Sequence, residues 1–76
     1  MIRILVVEDE KPISDLLDMS LTSAGYTCDC VFTGIKAADA VNSRRYDLIL
    51  LDVMLPGIDG FELMEYLAPL EIPVIF

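Results

Sequence analysis

The chain has 76 residues, of which 55% are hydrophobic, and its formal net charge is −8. A chain of this length forms at most one domain and buries only about 60–65% of the surface that its unfolded form exposes. This hydrophobic content suits a larger core than the chain can close, so we expect a C-terminal part to be missing. The charge argues against direct nucleic-acid contact by this segment, because phosphate contacts need clustered Lys and Arg and the five basic residues are scattered.

The first strand and helix enclose an acidic segment. A short apolar strand, Ile4-Leu5-Val6-Val7, runs directly into Glu8-Asp9-Glu10. Pro12 fits the first turn of a helix, and apolar residues then recur at helical spacing until Gly25, which predicts the helix end.

Residues 26–32 alternate as in an edge strand with one exposed face, and that face carries Thr27 and Asp29. Cys28 and Cys30 share the other face, where a strand holds their Cβ atoms too far apart for a disulfide. We therefore expect a reduced pair in the core. A Cys-x-Cys metal site is the alternative, although the sequence has no His and no further Cys to complete a tetrahedral shell.

The second half of the chain repeats the alternation of helix and strand. Thr33 is placed to cap a second helix. A third strand follows over residues 46–52, in which Leu48-Ile49-Leu50-Leu51 predicts burial on both faces of a parallel sheet. An apolar stripe predicts a third helix over residues 60–67, and residues 72–76 open a fourth strand.

The order β-α-β-α-β-α-β predicts an α/β fold, a doubly wound parallel sheet that stops after its fourth strand. Parallel strands present their last side chains at one edge of the sheet, and that edge is where open α/β sheets bind ligands. Asp52 ends the third strand, and Glu8 and Asp9 follow the first. We expect these three carboxylates to lie together.

Such a group of carboxylates needs compensation, since two charges about 5 Å apart repel by roughly 3 kcal/mol at an effective dielectric near 20. An all-oxygen site suits Mg²⁺, which takes one or two protein carboxylates and keeps positions for phosphoryl oxygens. Asp can act as a nucleophile in phosphoryl transfer. The pattern therefore predicts Asp52 as phosphoacceptor and Glu8 and Asp9 as metal-holding groups.

Three segments together resemble the receiver domain of bacterial two-component response regulators: residues 4–10, residues 52–60 and Ile72-Pro73-Val74-Ile75-Phe76. The resemblance spans all 76 residues and implies a flavodoxin-like sheet. It also implies that Asp52 is the phosphoacceptor, that Asp9 binds Mg²⁺ directly and Glu8 through water, and that the main-chain carbonyl of Met54 completes the protein's ligands. The implied partner is a sensor histidine kinase.

The same resemblance implies parts that are not in this sequence. A receiver continues to a Thr or Ser at the end of the fourth strand, a fourth helix, a fifth strand ending in Lys, and a fifth helix. Residues 1–76 would thus be the N-terminal part of a receiver that cannot switch normally. The acidic loop and Arg44-Arg45-Tyr46-Asp47 look most like receivers joined to winged-helix DNA-binding domains, so the expected parent is a transcriptional regulator with a C-terminal output domain.

Three other functions are open. A Mg-dependent phosphohydrolase with an Asp nucleophile usually has a second Asp two residues later, where this chain has Met54. A nucleotide- or flavin-binding module would need a glycine-rich loop after the first strand, where Glu8-Asp9-Glu10 stands instead. A fragment without signalling competence would self-associate as a homo-oligomer through its exposed sheet edge.

The sequence also predicts the cellular compartment of the protein. The N-terminus reaches charged residues after one short strand, as a signal peptide would not, and no apolar run approaches the ~18 residues of a membrane span. With reduced cysteines, this favours the cytoplasm and no membrane contact.

Overall fold

A computed structural model describes residues 1–52 and 60–75 of the chain. In these residues the strands are β1 (Arg3–Val7), β2 (Thr27–Val31), β3 (Leu48–Leu51) and β4 (Val74–Ile75). The helices are α1 (Lys11–Ser23), α2 (Gly34–Ser43) and α3 (Gly60–Leu67), and a 3₁₀ turn, Ala68–Leu70, follows α3.

The described strands form one parallel sheet in the order β2-β1-β3-β4. Each connection between successive strands carries a helix, which confirms the predicted α/β fold and the edge position of β2. The register pairs Ile4 with Cys28 and with Leu48, so the apolar centre of β1 lies between its two neighbours.

Local signals set the helix ends. Pro12 lies in the first turn of α1, as predicted, and Gly25 takes a φ of 97° after the helix, a left-handed conformation that costs glycine least. The hydroxyl of Thr33 accepts a hydrogen bond from the Lys36 amide at 3.1 Å, so the predicted cap of α2 is present.

The main core lies on one face of the sheet, where α2 and α3 pack. Its members are alternate residues of β1 and β3 together with residues from both helices and Tyr46: Leu5, Val7, Ala37, Tyr46, Ile49, Leu51, Leu63 and Leu67. The opposite face carries α1, which packs on β1 and β2.

The prediction that β3 is buried on both faces is wrong in part. Ile49 and Leu51 are buried in the core, whereas Leu48 and Leu50 are only half-buried. For Leu50 the reason is that α1 lies over β1 and β2, so this residue is left in the wall of an open cavity beside the helix.

The predicted exposed face of β2 needs a correction at Asp29, which is half-buried. Its Oδ2 accepts hydrogen bonds from the Tyr46 hydroxyl at 2.8 Å, from Arg3 Nη1 at 3.2 Å and from Arg44 Nη1 at 3.3 Å. Burial alone would raise the pKa of Asp29, but these hydrogen bonds and the two positive charges outweigh it and lower that pKa. Asp29 thus joins β2 to β1, to the end of α2 and to the segment before β3.

The strands are shorter than the alternation predicts. Tyr46 and Asp47 precede β3, where the Asp47 carboxylate accepts a hydrogen bond from the Arg3 amide at 2.8 Å and the Asp47 amide donates to the Arg3 carbonyl at 2.8 Å.

No helix in residues 1–52 and 60–75 is both long and apolar enough to cross a membrane.

Candidate functional site

The backbone at the carboxyl edge of the sheet holds the ends of three strands together. The Asp52 amide donates to the Val7 carbonyl at 2.9 Å, and the Glu8 amide donates to the Val31 carbonyl at 3.1 Å. Because both residues continue directly from paired strands, the start of each side chain is fixed by the sheet.

Glu8, Asp9 and Asp52 come together at this edge. Each offers a carboxylate oxygen, and these oxygens lie within 4.8 Å of one another. Glu8 and Asp52 are half-buried and Asp9 is exposed, so the group opens toward solvent. The predicted convergence of the three side chains is therefore observed. The fourth residue of the predicted set, Met54, lies outside the described residues.

The electrostatics of the group favour a cation. Partial burial raises the pKa of Glu8, and the neighbouring charge of Asp52 and hydrogen bonds with Asp52 and Asp9 raise it further. A hydrogen bond from the Glu10 amide to Glu8 Oε1 at 3.1 Å acts in the opposite direction but does not cancel the effect. A proton is thus held more tightly on Glu8 than on an ordinary Glu, because burial and the neighbouring carboxylates both disfavour its charged form.

The donor set fits a hard divalent cation. It consists of oxygen atoms alone, and ligand oxygens about 2.1 Å from one Mg²⁺ stand about 3 to 4.2 Å apart in an octahedron. The observed 4.8 Å limit is slightly wider, so small side-chain rotations would bring the Asp9 and Asp52 oxygens into range, and Glu8 lies near enough to act through a bound water. The nearest Lys in sequence, Lys11, does not supply the compensation, since its ammonium pairs with Asp15 at 3.0 Å.

A cavity of about 460 Å³ lies beside the carboxylates. Glu8 and Asp52 stand on its rim, and its walls include Val6, Leu17 and Leu50. The charged group therefore borders an apolar space between α1 and the β3 side of the sheet.

Cys28 and Cys30 are not part of the acidic group and lie on the face of the sheet that carries α1. Both are free and half-buried, so the reduced state is as predicted while the core position is only partly right. Burial, together with the neighbouring Cys30 and Asp18, raises the pKa of the Cys28 thiol to about 12. Asp18 could not be predicted as their neighbour from the sequence, because it lies on α1 and meets β2 only after folding.

The fold and the acidic site together are those of a signalling domain, and the chain belongs to the response regulator receiver domain family, whose model matches residues 4–76. Two similar structures contain the response regulator TrrA of Thermotoga maritima, at 37% identity. One is TrrA in complex with Mg(2+)-BeF, with a TM-score of 0.94 over 100% of this chain. The other is the histidine kinase ThkA in complex with TrrA, with a TM-score of 0.90 over 97% of this chain.

A third similar structure is the receiver domain of the Francisella response regulator 1452, at 30% identity, with a TM-score of 0.90 over 97% of this chain. The chain spans 68%, 66% and 63% of the length of the matched TrrA, TrrA in the kinase complex and Francisella chains, respectively. The matched chains are thus about half as long again as this 76-residue chain.

Proposed function

We propose that this chain is the N-terminal part, residues 1–76, of a receiver domain that accepts a phosphoryl group on Asp52 with the help of Mg²⁺. The observation that carries the proposal is the approach of Glu8, Asp9 and Asp52 to within 4.8 Å at the carboxyl edge of the sheet. Membership of the receiver family supports it.

Asp52 is the phosphoacceptor because the end of β3 holds it rigidly and leaves its side chain half-buried at the rim. A carboxylate oxygen of Asp52 forms the new bond to phosphorus while the bond between phosphorus and the donor's leaving atom breaks. The chain is then a substrate that assists its own modification and not a turnover enzyme.

Asp9 holds the metal directly, Glu8 holds it through water, and the main-chain carbonyl of Met54 is the remaining protein ligand. Bound Mg²⁺ supplies positive charge that offsets the carboxylates and the oxygens of the incoming phosphoryl group. The described complex of TrrA with Mg(2+)-BeF supports this choice of ion.

The phosphoryl donor is a sensor histidine kinase, and the complex of ThkA with TrrA supports a kinase partner. The parent protein carries a C-terminal output domain that binds DNA, whereas this segment makes no nucleic-acid or membrane contact of its own. Its compartment is the cytoplasm, which suits the free thiols of Cys28 and Cys30.

Metal binding tests the site without needing phosphorylation. Mn²⁺ serves as a paramagnetic probe, and Mg²⁺ competes for the same site. We expect Asp9→Asn and Asp52→Asn each to weaken Mn²⁺ binding by at least about tenfold, since even the loss of outer-shell partners costs 10–100-fold. Asp39→Asn, which changes an exposed acid on α2, is the matched control. Equal affinity in all four proteins would refute the site.

Phosphorylation tests the acceptor. The chain is incubated with Mg²⁺ and acetyl phosphate, and peptide mass spectrometry locates the adduct. We expect the phosphoryl group on Asp52 and none in Asp52→Asn, with the same assay run on a longer version of the protein. An adduct that is equally abundant in the Asp52→Asn form of that longer version would show that another residue is the nucleophile.

We also propose that the chain self-associates as a symmetric homo-oligomer. β4 is the last strand of the described sheet, and Ile75 on it is 53% exposed beside the apolar cavity. Pairing of two such edges would cover this surface. Sedimentation of the 76-residue chain as a compact monomer at all concentrations would refute this part alone.

A further inference from the structure

The face of the sheet that carries α1 holds a second cluster of potential metal ligands. Cys28 and Cys30 project from β2 on the same side, and their Sγ atoms lie 4.0 Å apart. An oxygen of Asp18, on α1, is within 4.8 Å of both sulfur atoms. We propose that Cys28, Cys30 and Asp18 form a binding site for one thiophilic divalent cation of the Zn²⁺ class.

The spacing of the two sulfur atoms fits a shared ion. Zn–S bonds are about 2.3 Å long, so two thiolates on one tetrahedral zinc stand about 3.8 Å apart. The observed 4.0 Å is within a few tenths of an ångström of that spacing and about twice the length of a disulfide bond. The strand therefore presents the thiols at a distance that a metal ion bridges without rearrangement of the backbone.

Asp18 supplies the third ligand, and a hydrogen bond orients its carboxylate. Its Oδ1 accepts a hydrogen bond from the Thr22 hydroxyl at 3.2 Å, one turn further along α1. Hydrogen-bonded carboxylates of this kind are typical of metal sites, because the outer partner fixes the ligand. With two sulfurs and one carboxylate oxygen from the protein, the fourth tetrahedral position belongs to water.

The ligand types separate this site from the acidic one. Thiolates select Zn²⁺ and related ions, whereas carboxylates and water suit Mg²⁺. All three ligands are half-buried, so the site is reachable from solvent and does not require full desolvation of the ion. Each cysteine releases its proton on binding, and the ion then links α1 to the edge strand β2.

Cobalt tests the assignment, because Co²⁺ bound by thiolates gives an intense sulfur-to-metal charge-transfer absorption and four-coordinate d–d bands. The reduced 76-residue chain is titrated with Co²⁺ in excess Mg²⁺, which occupies the acidic site. We expect saturation at one Co²⁺ per chain, displacement by one equivalent of Zn²⁺, and one chain per ion in native mass spectrometry.

Four variants identify the ligands. Cys28→Ser and Cys30→Ser should each weaken the charge-transfer band, and the double variant should abolish it. Asp18→Asn should keep the band but lower the Co²⁺ affinity by at least about tenfold. The control is Asp15→Asn, an exposed acid on the same helix whose loss should change neither the band nor the affinity.

A measurement on the unmodified chain covers the case of a variant that fails to fold. One equivalent of Zn²⁺ should protect both cysteines from alkylation and raise the melting temperature, whereas Mg²⁺ should do neither. The proposal is overturned if no thiolate absorption appears, if Asp18→Asn binds Co²⁺ as tightly as the unmodified chain, if two chains share each ion, or if Zn²⁺ leaves alkylation unchanged.

Discussion

Replacing Asp29 with Asn should lower the free energy of unfolding by about 1–2 kcal/mol at neutral pH. The carboxylate gathers three donors, of which the Tyr46 hydroxyl at 2.8 Å is the nearest and belongs to a buried side chain. A hydrogen bond to a charged group contributes about 1.5–3 kcal/mol, and Asn retains part of it because its amide oxygen also accepts.

The two arginines add less. The Arg3 and Asp29 side chains are 31% and 33% exposed, and Arg44 is 53% exposed, so solvent screens both ion pairs. Pairs of this kind contribute about 0.2–1 kcal/mol, and we take the lower end for Arg44. The sum of a partly retained hydrogen bond and two weak pairs gives the stated range.

The pH dependence distinguishes a lost charge from a general defect. Because the folded state lowers the pKa of Asp29, its contribution is present above the ordinary Asp value and disappears as pH falls through the lowered folded value. The stability difference between the unmodified chain and Asp29→Asn should therefore be constant from pH 7 to about 5 and shrink below about 4.

Urea unfolding followed by circular dichroism measures this difference, and a thermal scan should show a shift of about 4–8 °C for each kcal/mol. Asp39→Asn on the exposed side of α2 is the control and should change stability by less than about 0.5 kcal/mol. A difference that is absent at pH 7, or that persists unchanged at pH 3, would refute the role assigned to the Asp29 charge.

Three further predictions concern the core, a helix cap and a tyrosine. Leu5→Ala should cost about 2–5 kcal/mol in urea unfolding because Leu5 is fully buried, whereas Leu16→Ala, at a 64% exposed position, should cost much less. Thr33→Ala should cost about 1 kcal/mol by removing the cap of α2, and Ser20→Ala within α1 should not destabilise. Burial, the hydrogen bond to Asp29 and the charge of that carboxylate raise the pKa of Tyr46 to about 12, so its contribution to stability should be present up to about pH 10 and be lost as pH rises to about 12. The ultraviolet difference between the unmodified chain and Tyr46→Phe should show the ionisation of Tyr46 near pH 12, and a step near pH 10 would contradict it.

Much of the fold follows from local pattern. Gly25 and Thr33 act within a few residues of themselves, so the end of α1 and the cap of α2 could be predicted from sequence. The meeting of Asp9 and Asp52 could also be predicted, because parallel strands place their carboxyl ends at one edge whatever the details of packing. The strand order β2-β1-β3-β4 does not follow from local pattern, and the sequence pointed to it only through the resemblance that implied a flavodoxin-like sheet.

The wrong and missed features depend on residues that approach only through tertiary packing. Asp29 looked exposed because alternation describes β2 alone, but its partners Arg3 and Tyr46 come from β1 and from the segment before β3. The sequence predicts Leu50 as buried because its side chain is hydrophobic, but hydrophobicity does not show whether another element packs over it.

The cluster of Cys28, Cys30 and Asp18 is another feature that forms only through tertiary packing, and here the packing adds a metal ligand. In the sequence, Cys28 and Cys30 have no evident further ligands, since the chain contains no His and no third Cys. Packing of α1 against β2 adds the Asp18 carboxylate, a ligand whose residue type is too common to stand out in a sequence with 13 acidic residues. The thiolate pair sets the affinity for a soft ion and the helix supplies the oxygen, so binding of that ion would report directly on whether α1 is docked on the sheet.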